Sequence, residues 1–135
     1  MGWQISLLLV QVVAWDEGVP LGRGMLLFAE DEDYSESAAR EGCAEVRDLS
    51  VEEPYRRRGV ATAIMASLEG AAKAAGYPRI GLSVSLDDGH APARSLYERL
   101  GYGHAHGPFL ISTTLDGDDG PFPVGDVVTY LVRDL

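Results

Sequence analysis

The sequence predicts one α+β domain built on a central mixed, mostly antiparallel sheet flanked by helices. Two observations carry the sheet. The apolar segments Ile5 to Ala14 and Val19 to Phe28 flank Asp16-Glu17-Gly18 and read as an antiparallel hairpin. A strand–helix–strand run then spans Ala44 to Leu86 and adds two further strands and a covering helix. A third observation bounds the size. With 135 residues and 46% apolar content, the chain has one-domain length and enough apolar surface to bury a core, so residues 1–135 are read as one domain.

The elements follow in order. After the hairpin comes an acidic loop, Glu30 to Glu36, and then Ala44 to Val51, whose alternating apolar residues make a strand. Val60, Ile64, Leu68, Ala71, Ala72 and Ala75 recur at helical spacing, and Gly76 with Pro78 beyond it stops that helix. Ile80 to Leu86 is the next strand. Asp87-Asp88-Gly89 turns the chain, Pro92 suits the first turn of a second helix, and Gly101 ends it. On that helix Ala93, Leu96, Tyr97 and Leu100 share one face, which makes Tyr97 a core aromatic with its hydroxyl at the rim. A short strand begins at Tyr102. The Gly-, Pro- and Asp-rich segment Gly107 to Gly125 reads as loop with a strand around Phe109 to Thr113, and Val127 to Val132 makes the last strand.

Composition excludes several functions. The net charge is −10, and the only dense basic cluster, Arg56 to Arg58, holds three of eleven basic residues, so no nucleic-acid partner is expected. The tyrosines and tryptophans lack the basic interleaving used to stack bases. One cysteine, Cys43, excludes an internal disulfide and fits a reducing, cytoplasmic setting, where it reads as a buried structural thiol. The apolar run Ile5 to Val10 is too short to span a bilayer, so no membrane partner is expected. Met1-Gly2-Trp3-Gln4-Ile5-Ser6 meets the bare myristoylation pattern, but the same residues open a good strand and the match is read as chance. His104 and His106 form an H-x-H without a paired ligand cluster, and no metal is expected.

The chemistry centres on Arg56-Arg57-Arg58-Gly59-Val60-Ala61-Thr62, set between the strand ending at Val51 and the helix opening at Val60. A phosphate held there meets unpaired helix N–H groups and the positive end of the helix dipole. Gly59 permits close backbone approach, Ala61 is small, and the arginines offset anionic charge. Taken alone, this stretch also suits a plain basic helix start. It is not a nucleotide-triphosphate loop, since no Gly-Lys-Ser/Thr follows.

With its flanks, the segment resembles the acetyl-CoA-binding core of the GNAT family of N-acetyltransferases. The family pattern places Gln or Arg three residues before Gly and a small residue two beyond it, met here by Arg56, Gly59 and Ala61. The resemblance runs from Ala44 to Tyr102 and includes A-x-x-L-Y-x-x-x-G-Y at Ala93 to Tyr102. It implies a parallel strand pair that splays, with the pantetheine arm of acetyl-CoA paired to strand backbone at Leu49, Ser50 and Val51. The Leu49 N–H would face the thioester oxygen. Arg56, Arg57, Arg58, Gly59, Val60, Ala61 and Thr62 would hold the pyrophosphate. His90 stands where relatives often place an Asn that touches pantetheine, although here a turn-closing role comes first.

The resemblance also implies the catalytic roles. Tyr97 would protonate the departing thiolate, and Glu45, four residues before Leu49, would take the amine proton through water. Arg47 shares the Glu45 face on an ideal strand, Asp48 takes over if a bulge shifts the facing residues, and many relatives use an ordered water alone. The implied activity is direct acetyl transfer from acetyl-CoA to a primary amine, on a small molecule or a protein, in a ternary complex. The acidic charge balance favours cationic acceptors. The competing reading is a non-catalytic acyl-CoA-binding regulatory module. Family members begin with a strand and two helices, whereas this sequence enters at the second strand. Acceptor recognition then falls to Ala29 to Gly42 and Gly107 to Gly125, or to a second subunit of a homodimer, or the sequence is a trimmed form of a longer chain.

Overall fold

The computed structural model describes residues 2–8 and 11–135, the side chains of 6–8 excepted. The strands are β1 (Trp3–Leu8), β2 (Gln11–Asp16), β3 (Val19–Leu27), β4 (Ala44–Val51), β5 (Arg79–Ser85), β6 (Gly103–Gly117) and β7 (Gly120–Asp134). The helices are α1 (Glu36–Glu41), α2 (Val60–Ala74) and α3 (Ala91–Arg99). The strands form one sheet in the order β1-β2-β3-β4-β5-β7-β6. β1 to β4 pair antiparallel in sequence, and β4 pairs parallel with β5. The fold is therefore the expected α+β class with a mixed sheet.

The chain divides into two compact units, residues 1–82 with 132–135, and residues 83–131. In the first, Glu17 and Gly18 join β2 to β3 with φ of 48° and 80°, the two positive values that a type I′ hairpin turn needs. The apolar face of α2, formed by Val60, Ile64, Met65, Leu68 and Ala72, is buried, as are Val12, Ala14 and Leu26. Gly24 permits the close fit of α2 on β3. A Cβ at that position would stand 3.0 Å from both Ile64 Cγ2 and Leu68 Cδ1, tighter than side chains normally allow. In the second unit, Tyr130 is fully buried and stacks on His106 with ring centroids 5.1 Å apart.

Three sequence expectations are corrected here. The segment Ile5 to Ala14 is not one strand. β1 and β2 pair antiparallel from Trp3↔Asp16 to Leu8↔Gln11, while Leu9 and Val10 lie outside the described residues. The run is apolar but for Ser6 and Gln11, with no Gly, Pro, Asn or Asp to signal a reversal. A strand, β1, therefore precedes the hairpin of β2 and β3.

The second correction concerns Gly107 to Gly125, which is not a loop. It belongs to the long hairpin of β6 and β7, joined by Asp118 and Asp119. Leu110, Leu115, Phe122 and Val127 along it are exposed, Leu110 by 65%. Without a buried face, no apolar alternation marks the strands. The third correction is α1, which falls within a segment read as loop. Its six residues are too few for a periodic signal, although Ser35 at the N-cap and Gly42 in the left-handed conformation at the C-terminus bracket it. Among the described residues no helix is long and apolar enough to cross a membrane.

Candidate active site

β4 supplies the scaffold. Its parallel pairing with β5 covers Ala44↔Ile80 and Glu45↔Gly81, at the start of both strands, and β4 then runs on to Val51. On the other side β4 pairs with β3, where Met25 meets Arg47 and Arg23 meets Ser50. Asp48 and Leu49 thus oppose Gly24 alone, a β-bulge in which Asp48 takes a φ of 53°. Asp tolerates this conformation better than most residues do. The bulge resets the alternation of side chains. Glu45 and Arg47 point to one face, whereas Leu49 reaches toward Gly24 and the α2 face, with Cδ1 3.4 Å from the site of a Gly24 Cβ. Asp48 is exposed.

Between β4 and α2 lies a turn of 3-10 helix, Glu53–Tyr55, opened by Pro54. Arg56 folds back, its Nε donating to Val51 O at 2.9 Å, and so fixes the end of β4. Arg57 has a φ of 64°, a conformation that costs a non-glycine residue roughly 1–2 kcal/mol. The Arg58 guanidinium lies 5.7 Å from the centroid of the Tyr55 ring. Gly59, with φ 78°, is the N-cap of α2 and provides no side-chain cap. The first intrahelical bond runs from Ala63 N to Gly59 O, which leaves the Val60, Ala61 and Thr62 N–H groups without helical acceptors. Gly59 and Thr62 are exposed and Ala61 is half-buried.

Glu45 is 0% exposed. Arg47 Nη2 donates to its Oε1 at 2.7 Å, and the same nitrogen donates to Asp33 O at 2.8 Å. The Ser35 hydroxyl donates to Glu45 Oε2 and accepts from Ala38 N at 3.0 Å, so the cap of α1 is joined to β4 through this carboxylate. Tyr34 adds a further tie by donating its hydroxyl to Cys43 O. Burial, followed by the influence of Cys43, pushes the Tyr34 hydroxyl up to about 12. Ser35 and Tyr34 escaped the sequence reading. Only the cap signal at Ser35, with Gly42 closing the helix, was available to find them.

In the second unit, Tyr97 on α3 is 8% exposed, and its ring meets Tyr102 edge-on with centroids 6.0 Å apart. Burial raises its hydroxyl pKa above the ordinary phenol value. A neutral phenol is the form that can donate a proton. His90 precedes α3, and its Nδ1 lies 2.7 Å from Asp87 Oδ1, which also accepts the His90 backbone N–H at 3.0 Å. The ring therefore closes the turn. The hydrogen bond to His90 lowers the Asp87 pKa. Arg94 donates to Ser85 O at 2.6 Å and to Asp87 O at 2.8 Å, and so ties α3 to the end of β5. His104 Nε2 lies 3.0 Å from Gly107 O, and His106 stacks between Phe109 and Tyr130. Among the described residues no three His, Cys, Asp or Glu side chains are grouped to hold a metal ion. Cys43 is a buried thiol.

A mixed sheet whose parallel pair meets over two residue pairs, followed by a glycine-capped helix, defines a fold shared with solved acetyltransferases. Similar structures include an N-acetyltransferase from Staphylococcus aureus Mu50, at 18% identity and TM-score 0.63 over 92% of this chain and 66% of that one. The ribosomal-protein-S18-alanine N-acetyltransferase from Escherichia coli aligns at 17% identity and TM-score 0.61 over 98% and 69%. A PaiA N-acetyltransferase from Thermoplasma acidophilum, in complex with coenzyme A, aligns at 13% identity and TM-score 0.63 over 93% and 60%. At such identities the likeness is one of fold, and the chain spans about two thirds of the length of these proteins. No curated protein matches the sequence. The model of the acetyltransferase (GNAT) family matches residues 4–102, most of the chain, and the chain belongs to this family.

Proposed function

We propose that the protein transfers the acetyl group of acetyl-CoA to a primary amine by direct attack in a ternary complex. The observation that carries this reading is the sequence of features in the first unit. β4 pairs with β5 only at its start, bulges at Asp48, and leads to a helix whose first N–H groups lack acceptors. In this reading Leu49, Ser50 and Val51 offer strand backbone to the pantetheine arm, and Arg56 to Thr62 hold the pyrophosphate. The coenzyme A bound by a protein of similar fold supports the choice of cosubstrate. Tyr97 protonates the departing thiolate, and Glu45 takes the proton lost by the amine. Incubation with acetyl-CoA and a panel of amines should release free CoA thiol for at least one acceptor. If acetyl-CoA binds and no amine releases thiol, the chain is an acyl-CoA-binding module instead.

Glu45→Gln should lower kcat/KM most at neutral pH, with part of the loss returning at high pH, where more acceptor is already neutral. An equal loss at every pH would indicate damaged structure. The bulge supports a second reading, in which the exposed Asp48 is the base. Asp48→Asn should have the smaller effect, and a larger effect than Glu45→Gln would transfer the role to Asp48.

The acceptor is expected to be cationic. Glu30, Glu32, Asp33 and Glu36 are exposed on the segment leading into α1, and their field favours a positive substrate. For a polyamine, kcat/KM should decline as salt is added, because screening is strong beyond roughly 8–10 Å at physiological ionic strength. It should change little for a neutral amine. A salt-independent polyamine rate removes the argument from charge.

A further inference from the structure

We propose that Ser35 is a proton relay between the amine acceptor and Glu45. The proposal rests on the acetyltransferase reading above, and specifically on Glu45 as the proton acceptor. It begins from burial. A carboxylate with 0% exposure cannot meet a substrate amine or bulk water directly, so a proton must reach it through a neighbour. Arg47 and Ser35 are hydrogen-bonded to it, one on each oxygen. Arg47, on Oε1, is a permanent cation that does not exchange protons in a catalytic cycle. Ser35, on Oε2, is a hydroxyl that can accept and donate in one step.

The geometry at Ser35 suits this task. Its hydroxyl hydrogen goes to Glu45 Oε2, and one lone pair of Oγ accepts the Ala38 N–H at 3.0 Å. A hydroxyl oxygen has two lone pairs, so the second can accept from an ammonium group or from a water bridging to one. Ser35 is half-buried, whereas Glu45 is enclosed. Fixing Oγ by the α1 cap on one side and the carboxylate on the other aims that second lone pair in one direction.

The step balances. An N–H bond of the acceptor ammonium breaks as a bond to Ser35 Oγ forms, directly or through one water. The original Oγ–H bond breaks as the Glu45 Oε2–H bond forms. The amine is left neutral, with its lone pair available for the thioester carbon, and the serine hydroxyl is regenerated with a new proton. Arg47, held to Asp33 O at 2.8 Å, keeps Oε1 engaged so that the proton arrives at Oε2.

The test separates relay from scaffold with paired variants. Ser35→Thr keeps the hydroxyl and the cap, and is expected to retain activity within about twofold. Ser35→Asn keeps a good N-cap and a donor for Glu45, yet an amide cannot pass a proton on. It should keep the wild-type melting temperature within a few degrees and lose roughly 10²-fold in kcat/KM at neutral pH, the lower end of the range for general acid–base steps. Much of that loss should return at high pH. Wild-type rates for Ser35→Asn at neutral pH overturn the relay, provided Glu45→Gln is impaired. If Glu45→Gln is itself as active as wild type, Glu45 is not the base, and the relay falls with that parent reading. If Ser35→Asn melts early, Ser35→Gly and Ser35→Thr decide. Glycine is tolerated at an N-cap at little cost and carries no exchangeable side-chain proton, so only threonine can relay, and equal activity of the two again overturns the proposal.

Discussion

Replacing Tyr97 with phenylalanine is expected to lower kcat by roughly 10²-fold or more, while acetyl-CoA affinity stays close to wild type. The ring is 8% exposed and meets Tyr102 edge-on, and phenylalanine keeps both the burial and the contact. What it removes is one hydroxyl. Because burial raises the Tyr97 pKa, that hydroxyl stays protonated across the working range and the acid form is always armed. Loss of kcat without loss of binding identifies a group needed only as the C–S bond breaks. Single-turnover measurement checks that chemistry limits the rate, and an unchanged kcat under that condition rules the role out. The same raised pKa has a stability consequence. A tyrosine whose folded pKa lies above its unfolded value contributes stability that is full below the unfolded value and is lost as pH rises through the folded one. Thermal stability of wild type should therefore fall at strongly alkaline pH. Tyr97→Phe should soften that fall without abolishing it, since Tyr34, pushed up to about 12, contributes in the same direction.

Gly59→Val is expected to weaken acetyl-CoA binding by roughly 10- to 100-fold, the loss of about one charge-assisted hydrogen bond of 1.5–3 kcal/mol. Beyond its own chain neighbours, no atom of the described residues lies within 4 Å of where a Cβ would stand, so the change meets no clash with the packed protein. The internal cost is conformational. Gly59 sits at φ 78°, where a β-branched residue is strained by roughly 1–2 kcal/mol. Gly59→Asn separates the two effects, because Asn accepts positive φ yet still places a Cβ where the pyrophosphate must approach. Near-wild-type melting with weakened binding in Gly59→Asn would assign the loss to blocked approach. Calorimetry that detects no heat when wild type meets acetyl-CoA at millimolar concentration would sink the site altogether.

The strand–loop–helix core was readable because its signals are local. Ala44 to Val51 alternates, Gly59 opens a helical period at Val60, and Gly76 closes it, so β4 and α2 fall where those residues put them. Tyr97 was legible in the same way, from an apolar face on α3 followed by Gly101. The β6–β7 hairpin was not. With Leu110 and Phe122 exposed, no alternation between core and solvent marks its strands, and Gly, Pro and Asp dominated the reading. The reversal between β1 and β2 was hidden for the opposite reason, in a mostly apolar run that carries no turn residue.

Local pattern thus determined by itself the helix that begins after Gly59 and each motif of the family resemblance, because each depends on residues within a few positions of one another, and the order of those elements along the chain carried the α+β class. The setting of the catalytic candidates was decided only by tertiary structure. An ideal strand would place Glu45, Arg47, Leu49 and Val51 on one face, and the bulge at Asp48 divides them by opposing two residues to Gly24. That division sends Leu49 toward α2 and leaves Glu45 enclosed with Arg47 and Ser35, a residue ten positions away. No periodicity encodes such a contact. It arises because a buried carboxylate needs both a cation and a hydrogen-bond donor, and the fold sets the N-cap of α1 against a strand that already carries Arg47 beside Glu45.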